Sequence, residues 1–152
     1  RNPKALKRFA AAFEARSVKK RYLGIVAGEI DGEEGTIDLA LSKISSAEEG
    51  WRMIPDSFGK PAVTHWRKVT MHGGHTLVEF LLETGRTHQI RVHAAAGLGT
   101  ALLGDPIYGD GTGAGRTMLH AVELTIPRDG KADIVGKSPL PDDFIALGFS
   151  DG

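Results

Sequence analysis

The chain has 152 residues, 41% hydrophobic and 25% charged, with zero formal net charge and no cysteine. That is about one domain, long enough to bury its own core. It excludes disulfides, thiolate metal sites and a uniformly basic nucleic-acid binder, and no apolar run approaches the roughly 18 residues of a membrane helix.

The predicted elements follow in chain order. Asn2-Pro3 reads as an N-cap with proline at the first helical position, and Leu6, Phe9, Ala10 and Phe13 form one apolar stripe, so a helix runs to about Ala15–Ser17. Lys19–Ala27 reads as a strand, with Tyr22, Gly24 and Val26 on one face and Leu23, Ile25 and Ala27 on the other. An acidic turn, Glu29–Gly35, leads to a strand over Gly35–Leu41. Ser42–Gly59 is polar and glycine-punctuated and reads as a long loop with short ordered pieces. Lys60–Met71 alternates as a strand, and His72-Gly73-Gly74-His75 turns the chain into the apolar strand Thr76–Glu83. Gly85 then breaks the strand, and a helix is expected over Thr87–Ala96, capped by Thr87 and stopped at Gly97. Gly97–Gly115 reads as a glycine-rich loop, extended only near Leu102-Leu103. Leu119–Ile126 is a last strand, and Asp142–Leu147 a short closing helix. The pattern is one α+β domain on a mixed, mostly antiparallel sheet.

Charge is unevenly spread. Residues 1–22 hold eight Lys or Arg against one Glu, and residues 60–93 hold five against two acids. Residues 29–59 and 94–152 are net acidic. If the two basic blocks meet, they form one positive face, the electrostatic footprint of a phosphate backbone. Solvated faces with no partner are the plainer reading.

Chemistry concentrates between Thr84 and His93, where Thr84, Arg86, Thr87, His88, Gln89, Arg91 and His93 can all donate hydrogen bonds. A strand-to-helix junction favours anions, because backbone N–H groups there are free. An arginine early in a helix opposes the dipole unless it meets an anion, which marks Arg91 as a residue with a partner. His88 and His93 are five apart and point away from each other on a helix or a strand, so they do not make a metal site. His65 and His120 read as structural strand residues, and His72 and His75 as turn residues. No Gly-x-Ser-x-Gly elbow and no Gly-Lys phosphate loop occurs.

Arg86-Thr87-His88-Gln89-Ile90-Arg91-Val92-His93, followed by Gly104-Asp105-Pro106-Ile107-Tyr108-Gly109, resembles the RluA-type RNA pseudouridine synthases. Lys20–Gly28, Arg116–Ala121 and Pro139–Phe144 extend the likeness over nearly the whole chain. The resemblance implies uridine-to-pseudouridine isomerisation in structured rRNA or tRNA by a cytoplasmic monomer that needs no cofactor and no metal. It assigns Tyr22 to stacking on the flipped uracil, Ile90 to packing beside it, and Arg91 to a salt bridge with the nucleophilic aspartate. It further implies RNA contacts from Arg86, Thr87, His88, Gln89, His93, Lys7, Arg8, Lys19 and Lys20.

One feature departs from the family. Its nucleophilic aspartate belongs to a His-Arg-Leu-Asp motif that should precede Arg1, and residues 1–152 contain no such motif. The expectation is a single truncated domain, the C-terminal portion of the catalytic domain. Arg1-Asn2-Pro3-Lys4 lacks the apolar core of a signal peptide, and the missing initiator Met leads to the expectation of a processed or excised product. Two other readings stand beside it: a non-catalytic RNA-binding module that keeps the groove, and a paralogue that recruits another carboxylate, with Asp105 the nearest. An anion or a water is expected beside Arg91.

Overall fold

The computed structural model describes residues 19–48, 50–128 and 130–149. The helix expected from Asn2, with Lys7 and Arg8, lies outside them. Among the described residues eight strands form: β1 Lys19–Ala27, β2 Glu34–Asp38, β3 Leu41–Ser46, β4 Gly50–Pro55, β5 Val63–His72, β6 His75–Leu82, β7 Leu119–Arg128 and β8 Lys131–Lys137. Two short helices join them, α1 Gln89–His93 and α2 Asp142–Ala146, and α1 runs on as a π-helical segment over Ala94–Leu98.

Six strands make the main sheet, in the order β2-β5-β6-β1-β7-β8, and β3 and β4 pair as a separate hairpin. Every ladder between these strands is antiparallel. The β5–β6 turn is as short as the sequence suggests. His72 pairs with His75, and Gly73 and Gly74 both take positive φ, 60° and 80°, as a two-residue turn that follows strand twist requires.

Alternation along β1 feeds two cores. Leu23 and Ile25 pack with Leu77, Met118, Val122 and, from α2, Phe144. Tyr22 and Val26 pack on the other face with Val78, Phe80, Leu102 and, from α1, Ile90 and Ala94. With both faces covered, β6 is buried from Thr76 to Leu81, which explains its unbroken apolar run. Gly24 lets the second core close, because a Cβ there would lie 2.8 Å from Leu102 and 3.0 Å from Phe80. A third cluster, Leu41, Met53, Ala62 and Val92, seats the β3–β4 hairpin on α1.

Four expectations are corrected. Ser42–Gly59 is largely hairpin rather than loop, its strands showing little apolar pattern because only Leu41 and Met53 are buried. Lys131–Lys137, which carries no strand signal in the sequence, forms β8 at the sheet edge. β2 ends at Asp38, short of Leu41. The helix begins at Gln89 rather than Thr87, since its N-cap is His88 in the left-handed region.

Candidate active site around Arg91

α1 is one turn long and is held by buried polar side chains. Gln89 donates to the Val63 carbonyl at 3.0 Å and to the Thr64 hydroxyl at 2.9 Å, and its Oε1 accepts from Thr84 and from the Arg86 N–H. His93 is fully buried. Its Nδ1 accepts from Thr64 at 2.7 Å and its Nε2 donates to the Leu39 carbonyl at 2.9 Å. Burial pushes the His93 imidazole below the ordinary histidine range, so it is held neutral. Both side chains spend their polar atoms inside the protein. The expectation that Gln89 and His93 contact RNA is therefore corrected: they tie α1 to β5.

This anchoring fixes Arg91. Its Nε donates to Asp105 Oδ2 at 2.9 Å and its Nη2 to Asp105 Oδ1 at 2.7 Å, a two-pronged pair. Asp105 is fully buried, and its Oδ1 also accepts the Ile107 and Tyr108 N–H groups. Burial alone would raise the Asp105 pKa. Arg91 and those two N–H groups more than offset this and hold the carboxyl below the usual carboxylate range. The bond to Asp105 in turn raises the Arg91 pKa. The loop that carries Asp105 depends on Gly104, whose φ is 79° and where a Cβ would lie 2.0 Å from the Arg116 carbonyl oxygen.

Arg91 Nη1 also reaches His88 Nε2 at 3.1 Å. Arginine only donates, so Nε2 must accept, and the proton of the neutral ring sits on Nδ1. Nδ1 then donates to the Tyr108 hydroxyl at 2.8 Å. Burial and the Arg91 charge lower the His88 pKa, in agreement with a neutral ring. The Tyr108 oxygen accepts a second hydrogen bond, from the Met53 N–H at 3.0 Å. Its own phenolic hydrogen remains to be given. His88 holds φ at 54°, uncommon for a residue with a side chain, and its ring stacks on Trp51 at 4.8 Å between centroids. Arg52 and Arg91 lie 5.3 Å and 5.2 Å from the centre of the Tyr108 ring.

Tyr22 and Ile90 share the second core, Tyr22 partly exposed and Ile90 buried. Tyr22 also lines a cleft of about 320 Å³ with Lys20 and Val122. Arg86 is half-buried and Thr87 and Lys20 are exposed, while the Lys19 side chain lies outside the description. Of the first basic block only the Lys20 and Arg21 side chains lie among the described residues, on opposite faces of β1. Arg21 and Arg67 both bond the buried carboxylate of Glu79, and they line a cleft with Leu23 and Leu77 on the face opposite Tyr22. Sequence reasoning missed Tyr108 and Trp51 as site residues. The Gly104–Gly109 motif carried the signal for Tyr108, and nothing marked Trp51.

This architecture, an antiparallel sheet with α1 pinned across one face, is that of a pseudouridylate synthase domain. The solved human RNA pseudouridylate synthase domain-containing protein 1 superposes with a TM-score of 0.68 at 33% identity, over 92% of this chain and 62% of that one. The RNA pseudouridylate synthase family model matches residues 1–96. An uncharacterised RNA pseudouridine synthase of Zymomonas mobilis is 50% identical over 151 residues, which is 98% of this chain and 69% of the relative. A ribosomal large subunit pseudouridine synthase D of Nitrosomonas europaea is 39% identical over 150 residues, 91% of this chain but only 42% of the relative. The chain belongs to the RluA-type RNA pseudouridine synthase family, whose members are RNA-modifying isomerases. Among the described residues no helix is long and apolar enough to cross a membrane.

Proposed function

We propose that this chain carries the base-holding and charge-placing part of an enzyme that converts uridine to pseudouridine in structured RNA, with the nucleophilic aspartate supplied by an upstream segment. The observation that carries this reading is the unspent donor capacity of Arg91. A guanidinium has five N–H groups. Asp105 takes two and His88 one. Two are left, one on each terminal nitrogen, as a second carboxylate needs. Arg91 keeps 18% side-chain exposure, so those donors remain within reach of a further partner. Ion pairing would keep that carboxylate ionised at neutral pH.

In the reaction the ribose C1′–N1 bond breaks, the base turns, a C1′–C5 bond forms, the C5 proton leaves and N1 takes one up. No oxidant, reductant or other co-reactant is consumed. Tyr22 would hold the loose base by its ring, with Ile90 packed behind it. Asp105 is not the nucleophile in this reading. Its two oxygens already accept four hydrogen bonds and it has no exposed surface. It positions Arg91. The name of the Nitrosomonas relative supports large-subunit rRNA as the substrate class over tRNA.

Tritium release from RNA labelled at uridine C5 tests the reading. The 152-residue chain should be inactive, and a chain extended upstream through the His-Arg-Leu-Asp motif should turn over. In the extended chain Arg91→Ala should cost several kcal/mol, because it unpairs two carboxylates, one fully buried. Turnover by the short chain would sink the proposal and restore the recruited carboxylate.

A further inference from the structure

Phe58 is 96% exposed, more than any other large apolar side chain among the described residues. Its turn is well built. Asp56 Oδ1 accepts the Phe58 N–H at 2.9 Å, Oδ2 accepts the Ser42 hydroxyl at 2.7 Å, and the Asp56 carbonyl accepts the Gly59 N–H at 2.8 Å. Gly59 presses on β3, where a Cβ would lie 2.4 Å from the Leu41 carbonyl oxygen. Lys60 then exchanges two backbone hydrogen bonds with Leu41, both 2.9 Å. The chain thus holds the turn beneath an exposed aromatic ring with five hydrogen bonds, and the ring itself is left in water.

Beside it lies a cleft of about 550 Å³, lined by Phe58, Lys43, Lys60, Arg86 and Thr87 over a floor that includes Met53. No carboxylate lines it, and the neighbouring Asp56 is spent on the turn. Arg86 is steadied by its Nε, which donates to the Pro61 carbonyl at 2.8 Å, so its terminal nitrogens are left for a ligand. The cleft adjoins the Arg91 site. Thr87 precedes His88 in the chain, and the Met53 N–H is the one that Tyr108 accepts.

We propose that this cleft is a second RNA subsite, which takes an unpaired nucleotide next to the target, its base stacked on Phe58 and its phosphates against Lys43, Lys60 and Arg86. The inference rests on the RNA-directed reading of the Arg91 site. Three cations with one aromatic face are what single-stranded nucleic acid requires, since every base offers a π-face and every linkage a charge. Such a contact reads pairing state rather than sequence. It makes the enzyme select uridines in open loops.

The test is fluorescence anisotropy of the 152-residue chain with two labelled RNAs, a stem with an open uridine-rich loop and a blunt duplex of the same stem. Phe58→Ala should weaken binding of the open loop roughly 5- to 100-fold, leave the duplex unchanged and leave the salt slope unchanged. Phe58→Tyr should restore it, and Phe58→Leu should not. Changing Lys43, Lys60 and Arg86 together to Ala should flatten the salt slope by about two. If Phe58→Ala and Phe58→Leu bind as the parent does while the triple variant weakens, the stacking subsite is overturned and the family reading stands. A parent chain that binds neither RNA at low salt overturns both. Intact RNA affinity in Phe58→Ala with loss of a dimer in sedimentation assigns the ring to protein contact instead.

Discussion

Two arginine–carboxylate clusters sit on opposite faces of one sheet, and they use their charges in opposite ways. At Glu79 one carboxylate serves two guanidiniums, Arg21 from β1 and Arg67 from β5, across three adjacent strands. The carboxylate is buried and the cations are 29% and 42% exposed, so what each cation does not give to Glu79 it gives elsewhere, much of it to water. At Asp105 one carboxylate serves one guanidinium, and no strand is involved. The pair joins α1 to the glycine-rich loop, with the anion fully buried and the cation at 18%. A shared anion staples strands. An unshared anion that is itself saturated leaves a cation with fixed direction and donors to spare. Geometry of the second kind belongs to a site.

The contrast can be broken by removing each anion in turn. Asp105→Ala strands a guanidinium that is mostly withdrawn from water and should cost on the order of 3–5 kcal/mol in urea unfolding. In the extended chain it should also abolish tritium release. Acid should separate the clusters next. His88 and His93 are held neutral, with native pKa values below the unfolded value of about 6.5. Groups of this sign stabilise fully above that value and lose their contribution as pH falls from it toward their native pKa values. Unfolding free energy should therefore drop between pH 7 and pH 5, and His93→Gln should flatten part of that slope. The Asp105 contribution has the opposite charge type but the same acid side. Its pKa is lowered, so it persists above about pH 4 and fades only below. The smallest effect belongs to the strand staple. Arg67→Ala removes the more exposed of the two cations and leaves the buried Glu79 carboxylate paired with Arg21, so it should cost only about 1 kcal/mol. A loss as large as that of Asp105→Ala would erase the distinction.

What could be read in advance follows from what periodicity reports. β1, β5, β6 and β7 showed themselves because their faces meet different surroundings or because both are buried, and Gly73-Gly74 because the turn needs positive φ. β3, β4 and β8 did not, since hairpins and edges with mostly exposed residues carry no contrast to read. Arg91 was legible as a residue in want of an anion, though for an imperfect reason. It lies in a single α-helical turn that continues as a π-helical one, too short a run for the dipole argument to have much force. Its partner, 14 residues on, falls in a loop without pattern, where only proximity in the fold joins them. Gln89 and His93 looked like RNA contacts because sequence cannot distinguish a donor that faces water from one that faces Thr64 and Leu39.

Gly104 carries this last point further. The residue bears no functional group, yet Asp105, and through it Arg91 and His88, stand where they do because a neighbouring carbonyl has come within 2.0 Å of where a Cβ would be. Tolerance to substitution and participation in chemistry are thus different maps of this molecule. A position-by-position library would rank the glycine beside the carboxylate it introduces, and ahead of Tyr22, the residue proposed to hold the base. Catalytic importance inferred from such a library alone would be credited to an atom that is not there.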